Sequence, residues 1–334
     1  MLERTKRRLR IVGRVGLISA GLGLALAFAG AGPQPAALLN GTALGALIGA
    51  LLTSLEVFGL SARGGSLLQR WPLGVVLVLR TAIYATCISA AYSAVIFASK
   101  GTAGLADLIR TLAYSLAASL AFNLALMVRR MLGPQVTAHF LTGRYYRPRL
   151  ERRLVLFLDL EGSTAIAERI GDVLFHEFLA RAVLDVSESA IECGGDIHRY
   201  VGDQVIVTWE MRRGKADPRA LTCPFVIADR IAENRGGYLS RFGAVPVLRA
   251  GFHAGPLVVG EMGDVKREIV MLGDTMNTAA RIEGACRSTG QAVLASAEAL
   301  ARTLLPAGLR AESIGSVDLR GKSTGMELFA LARA

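Results

Sequence analysis

The chain is 334 residues long, 52% hydrophobic, and carries a formal net charge of +11 at pH 7. Its mean hydropathy of +0.42 is too high for an ordinary soluble protein, and its length leaves room for two units. The apolar excess lies almost wholly before Arg129, so the basic charge flanks apolar spans and points to an anionic membrane face, not to nucleic acid. Four scattered cysteines, Cys87, Cys193, Cys223 and Cys286, form no CxxC pair, which implies reduced thiols and no cysteine metal site.

A basic stretch with Arg4, Lys6, Arg7, Arg8 and Arg10 precedes apolar spans at about 12–31, 37–60, 72–98 and 105–127. Each is near or above the roughly 20 residues a helix needs to cross the hydrocarbon core of a lipid bilayer. The basic start has the shape of a cleaved signal, but more apolar spans follow it and no secreted domain does. Residues 1–131 are therefore expected to form a four-helix transmembrane domain. Arg63, Arg70, Arg129 and Arg130 share one side with the N-terminus, while the loops at 32–35 and 99–102 carry only Lys100. Both termini of a multi-pass protein in the cell inner (plasma) membrane then face the cytoplasm. Gly21, Gly23 and the glycines between 41 and 49 offer small faces for close helix packing. Arg80 and Glu56 fall toward membrane depth, where a charge marks either a functional site or a snorkelling side chain. Residues 132–152, rich in arginine and including Tyr145 and Tyr146, read as a coupling linker or as a basic segment held at the head groups.

The remainder, 153–334, alternates strand and helix patterns. An apolar run at 154–158 ends in Asp159, and Glu161, Gly162, Ser163 and Thr164 follow before a helical pattern begins. Runs at 196–200 and 205–209 flank a tight turn made of Val201, Gly202 and Asp203. The patterns predict a strand at 153–159, helices across 163–192, a hairpin at 196–209 and a helix at 217–235. Strands follow at 246–253, 257–262 and 267–272, then a helix at 275–288, short strands and a last helix. The architecture expected is a mostly antiparallel sheet carrying helices on one face. Asp159 and Asp203 then stand at the ends of neighbouring strands, where two carboxylates suit paired Mg²⁺ ions. The backbone N–H groups of Gly162, Ser163 and Thr164 suit phosphate oxygens, with Ser163 or Thr164 as the helix N-cap. Taken singly, each aspartate is more simply a turn former or a cap; the combination carries the metal reading.

Four blocks, LFLDLEGST, YVGDQVIVTW, GDTMNTAARIE and LRGKS, occur in this order and together resemble the class III nucleotide cyclases. The resemblance covers the C-terminal half. It implies an α/β catalytic domain of ferredoxin-like, palm-type fold with a mostly antiparallel sheet. It also implies two Mg²⁺ or Mn²⁺ ions per active site. The implied reaction is in-line attack of the ribose 3′-hydroxyl on the α-phosphorus with departure of pyrophosphate. By the same resemblance Asp159, Asp203 and the Leu160 carbonyl bind the metals, Asn277 and Arg281 orient the ribose and stabilise the transition state, and Lys322 binds the triphosphate. In this family the metal ligands and the Asn/Arg pair come from different chains, so a homodimer with sites across its interface is implied. None of His176, His198 and His253 stands out as a general base. Well-studied members read adenine with a Lys four residues before the second metal aspartate and an Asp seven before the asparagine; this chain has Arg199 and Val270 there. Arg199 can donate to adenine N1 or to guanine O6, and Val270 offers only a backbone carbonyl. The guanine-reading Glu is absent at 199, which favours ATP. The expected function is a membrane-bound adenylate cyclase acting in second-messenger signalling. A guanylate cyclase, or a membrane receptor with a non-catalytic nucleotide-binding cyclase domain, stays open as an alternative.

Overall fold

The computed structural model describes residues 2–55, 58 and 73–98, short runs between 109 and 139, and 142–334 except 266 and 320–324. The chain divides into two units, Met1–Thr137 and Ala138–Ala334.

The first unit contains α1 (Leu2–Ala31), α2 (Pro35–Ser54) and α3 (Leu73–Ala98). Among the described residues these three helices are long and apolar enough to cross a membrane. The expected fourth span at 105–127 lies largely outside the described residues, and Glu56 lies outside them altogether. Pro35 opens α2, where its missing N–H would have had no helical partner. Glycine lets α1 and α2 meet. A Cβ on Gly23 would strike the Gly41 carbonyl and lie 3.2 Å from the Gly45 Cα, and one on Gly49 would lie 2.5 Å from the Ser19 side chain. Gly21 has nothing within 4 Å, so it is not part of this face. On α3, Arg80 is 8% exposed and Tyr84, one turn on, is fully buried.

The second unit is an eight-stranded sheet with helices. Its strands are β1 (Arg149–Leu160), β2 (Asp196–Val201), β3 (Gln204–Glu210), β4 (Leu248–Met262), β5 (Glu268–Leu272), β6 (Val293–Ser296), β7 (Leu309–Val317) and β8 (Met326–Arg333). Its helices are α4 (Ser163–Ile170), α5 (Asp172–Glu192), α6 (Arg219–Glu233), α7 (Arg235–Phe242), α8 (Asp274–Thr289) and α9 (Ala297–Arg302). The strand order is β2-β3-β1-β4-β6-β8-β7, with β5 on β4. Only β4 and β6 run parallel, so the sheet is mixed and mostly antiparallel. The β1-helix-β2-β3-helix-β4 core is the split βαβ arrangement of ferredoxin-like folds.

Two sequence expectations are corrected here. The strands expected at 246–253 and 257–262 are one strand, β4, 15 residues long. Gly255 and Pro256 looked like a turn, but β1 pairs β4 from Arg149↔Val259 to Leu160↔Leu248 and carries it straight through. The helices also cover both faces of the sheet, not one. Leu154, Leu156 and Leu158 pack with Phe178 of α5 and Ile227 of α6, whereas Val155 and Phe157 pack with Tyr145, Leu257 and Ala279 of α8. The unbroken apolar run at 154–158 is what a strand buried on both sides requires. A Cβ on Gly251 of β4 would collide with the Glu283 backbone, so glycine there lets α8 lie close against the sheet.

At the N-terminal end of β1, Glu151 and Arg153 belong to one hydrogen-bonded ion network. Arg153 is 3% exposed. Its Nη2 and Nε donate to Glu151 Oε2 at 2.8 and 3.0 Å, its Nη1 to Thr208 Oγ1 at 3.1 Å, and its Nη2 also to the Tyr145 hydroxyl at 3.0 Å. Tyr145 in turn donates to Glu151 Oε1 at 2.9 Å. Arg144 Nη2 donates to Glu151 Oε1 at 3.2 Å and to Glu210 Oε1 at 2.7 Å. Arg144 and Arg153 are thus both engaged in one ion network within this unit.

Candidate active site

The open end of β1 is built by register. Leu158 lies opposite Val205 on β3, so the next residue, Asp159, comes level with the β2–β3 turn that holds Asp203. Gly202, with φ of 61°, makes that turn possible. Both aspartates are half-buried. Burial and the Asp203 charge push the Asp159 carboxyl above the usual carboxylate range, opposed by Arg249 and by a hydrogen bond from the Leu160 backbone. Arg249 is the β4 residue directly opposite Asp159. Its Nη2 donates to Glu161 Oε1 at 2.6 Å.

Leu160 ends β1, buried, and the chain turns at once into α4. The N-cap of α4 is Gly162, with φ of 68° and no side-chain cap. Ser163 and Thr164 are the first two helical residues, which corrects the expectation that one of them caps the helix. The reversal directly after the strand demands a left-handed residue, and glycine takes that conformation without steric cost. The free N–H groups of this first turn open beside Asp159.

A third carboxylate joins them from α8. Glu283 is 6% exposed. Burial and the charges of Asp159 and Asp203 push its acid up to about 7, with Arg249 pulling the other way. Three carboxylates thus share one end of the sheet with a single arginine that already serves Glu161. This surplus of hard oxygen donors fits divalent cations. Among the described residues no three His, Cys, Asp or Glu side chains are grouped so that they could hold a metal ion by themselves.

The other expected site residues lie elsewhere. Asn277 is exposed and Arg281 half-buried, four residues apart on one stripe of α8. Ala279, Ile282, Glu283 and Cys286 form the opposite, buried stripe. The structure therefore does not bring Asn277 and Arg281 to their own chain's aspartates. Arg199 follows a bulge in β2 and is ion-paired with Glu268 of β5. Val270 pairs with Gly260 on β4. Lys322 lies outside the described residues. Burial first, then Arg199 and Arg153, press the His198 pKa down to about 4, so this ring is neutral at pH 7. His253 is buried with its Nδ1 2.8 Å from Ser296 Oγ. Sequence reasoning missed Arg249, Glu268 and Glu283. Glu283 had a readable signal: it is an acid on the apolar stripe of an amphipathic helix.

Residues 146–333 match the family model described as the adenylate and guanylate cyclase catalytic domain. The chain belongs to the class III nucleotide cyclase family. Adenylate cyclase 2 of Rhizobium meliloti is 39% identical over 223 residues, which cover 67% of this chain and 61% of that protein. An adenylate cyclase of Anabaena cylindrica is 24% identical over 181 residues, 53% of this chain and 36% of that protein. The chain thus spans less than two thirds of either relative. The crystal structure of the adenylyl cyclase CyaB from P. aeruginosa shares the fold, with a TM-score of 0.51 and 21% identity over 56% of this chain and 97% of that one.

Proposed function

We propose that this protein is a membrane-bound adenylate cyclase that converts ATP to 3′,5′-cyclic AMP and pyrophosphate. The observation that carries the reading is the meeting of Asp159 and Asp203 beside the N-terminus of α4, in a chain of this family. Asp159, Asp203 and the Leu160 carbonyl would hold two Mg²⁺ or Mn²⁺ ions. When bound, these supply Lewis-acid polarisation of the attacking and leaving oxygens. The protein's own groups bind and orient. The N–H groups of Gly162, Ser163 and Thr164 offer hydrogen bonds to phosphate oxygens. Asn277 orients the ribose, Arg281 stabilises charge at the α-phosphate, and Lys322 holds the triphosphate. Arg199 and the Val270 carbonyl face the base.

Asn277 and Arg281 point away from the side of α8 that faces Asp159 and Asp203, which supports a homodimer in which each chain completes its partner's site. Val258, Met262 and Leu272 on the β4–β5 hairpin, with Val201 and Tyr200 on β2, are exposed and apolar or aromatic, as such an interface needs. The three apolar helices, with a fourth at 105–127, anchor the protein in the inner (plasma) membrane with both termini cytoplasmic. Residues 132–152 couple the transmembrane domain, 1–131, to the catalytic domain, 153–334.

The test is product formation by the purified full-length protein with Mg²⁺ or Mn²⁺, offering ATP and GTP separately, beside Asp203→Ala. Cyclic AMP from ATP that disappears in the variant is expected. Cyclic GMP from GTP alone would overturn the choice of base, and silence with both nucleotides from a dimeric, nucleotide-binding protein would overturn the enzymatic reading. Mixing the inactive variants Asp203→Ala and Asn277→Ala should restore activity, because a mixed dimer keeps one intact site.

A further inference from the structure

The position that would read the purine is furnished with a carboxylate that counting along the sequence did not find. Arg199 projects from β2, and its Nη2 is ion-paired with Oε2 of Glu268, the first residue of β5. The two residues are 69 positions apart in the chain, so only the fold brings them together. Side chains alternate along a strand. Glu268 therefore shares a side of β5 with Val270, while Ile269 and Met271 turn to the other side and pack with Tyr145, Val155 and Phe157. The Arg199 and Glu268 side chains remain 43% and 37% exposed, open to a ligand.

We infer that Glu268, aligned by Arg199, is the base-reading acceptor of this enzyme. The pair presents a donor and an acceptor side by side. The adenine edge is their complement: its ring N1 accepts and its 6-amino group donates. Arg199 donates to N1 and the Glu268 carboxylate accepts from the amino group, filling the role that Val270 cannot fill with a side chain. The half-buried neighbour His198, neutral at pH 7, adds no competing charge beside the carboxylate. Guanine offers the same two roles at exchanged atoms, O6 accepting and N1–H donating, so the purine that the pair reads is set by the order in which Arg199 and Glu268 meet its edge, and the ATP reading fixes that order. The inference rests on the reading of ATP as substrate.

The experiment measures kcat and KM of the full-length protein for ATP, GTP and purine riboside 5′-triphosphate, which keeps N1 and lacks the amino group. The wild type is expected to favour ATP over the purine riboside nucleotide roughly tenfold to a hundredfold in kcat/KM, the size of one charged hydrogen bond. In Glu268→Ala the ratio should fall to near one, through a rise in KM for ATP. Glu268→Gln, which keeps an acceptor oxygen, should retain part of the preference. The double variant Arg199→Glu/Glu268→Arg restores an ion pair but reverses the donor and acceptor, so its ATP preference should be lost. A wild type that favours GTP would overturn the substrate reading beneath the inference. A wild type that favours ATP, with an unchanged ratio in Glu268→Ala or full recovery in the charge-reversed pair, would overturn the inference alone and leave the pair as a structural bridge.

Discussion

The two ends of β1 bury charge to opposite effect. At the N-terminal end, burial raises the Glu151 acid, yet hydrogen bonds and charge from Arg153 and Tyr145 bring it below the usual carboxylate range. At the C-terminal end burial also raises Asp159 and Glu283, and neighbouring carboxylates raise them further, with Arg249 pulling the other way. Twelve residues of one strand thus separate a neutralised network from an uncompensated one. Buried charge that is fully paired is architecture; buried charge left unpaired is an invitation to a cation.

The contrast is sharpest in a pair of substitutions. Asp203→Ala should lower cyclic AMP formation on the order of a thousandfold, the several kcal/mol of transition-state stabilisation that a catalytic metal site provides. Its thermal midpoint should stay or rise, since it also relieves repulsion at Asp159; a large fall in the midpoint would break the comparison. Arg153→Met should do the reverse. It leaves Glu151 only Tyr145 and the partly exposed Arg144, and should cost about 2–3 kcal/mol of folding stability, read by denaturant titration. Gly251→Ala comes next, expected to cost about 1–3 kcal/mol as α8 is forced off β4, with lower activity as the stripe carrying Asn277 and Arg281 shifts.

The smallest effect is a pH dependence. The Glu283 acid lies near pH 7 in the fold against an ordinary value of 4.5. Below pH 4.5 the folded and unfolded chains both hold its proton. Between 4.5 and 7 the unfolded chain releases the proton first, so stability falls as pH rises through that window. Glu283→Gln should flatten this slope. In chelator, the wild-type midpoint should drop a few degrees more than that of the variant between pH 5 and pH 8, roughly what one or two kcal/mol yields in a domain of this size. Equal slopes would show that burial and the neighbouring carboxylates do not raise the Glu283 acid.

The aspartates were legible in the sequence because their setting is local: an apolar run ending in Asp159, and a Gly-Asp turn between two runs. The stripe of Asn277 and Arg281 was legible for the same reason, from helical spacing alone. What escaped was set by distant partners. Gly255 and Pro256 read as a turn because nothing nearby in the chain announces that β1 will pair across them. The setting of Arg153 was hidden because Glu151, Thr208 and Tyr145 enclose it only once the sheet has formed. Gly162 takes the cap because the chain must turn sharply after Leu160, a demand that Ser163 and Thr164 do not reveal. Glu268 escaped because its partner sits on another strand.

The unbroken β4 has a mechanical meaning. Fifteen residues at a rise near 3.3 Å make a rod roughly 45–50 Å long, with Arg249 near one end, beside Asp159, and Met262 at the other, where it pairs with Glu268. The spacing between Arg249, opposite Asp159, and Met262, opposite Glu268, is therefore a count of residues along one strand, and not a compliance that loops could absorb. Deleting a single residue between Gly251 and Gly260 would turn every side chain beyond it to the other side of the sheet. Such a gauge tolerates substitution at many points and changes of length at none.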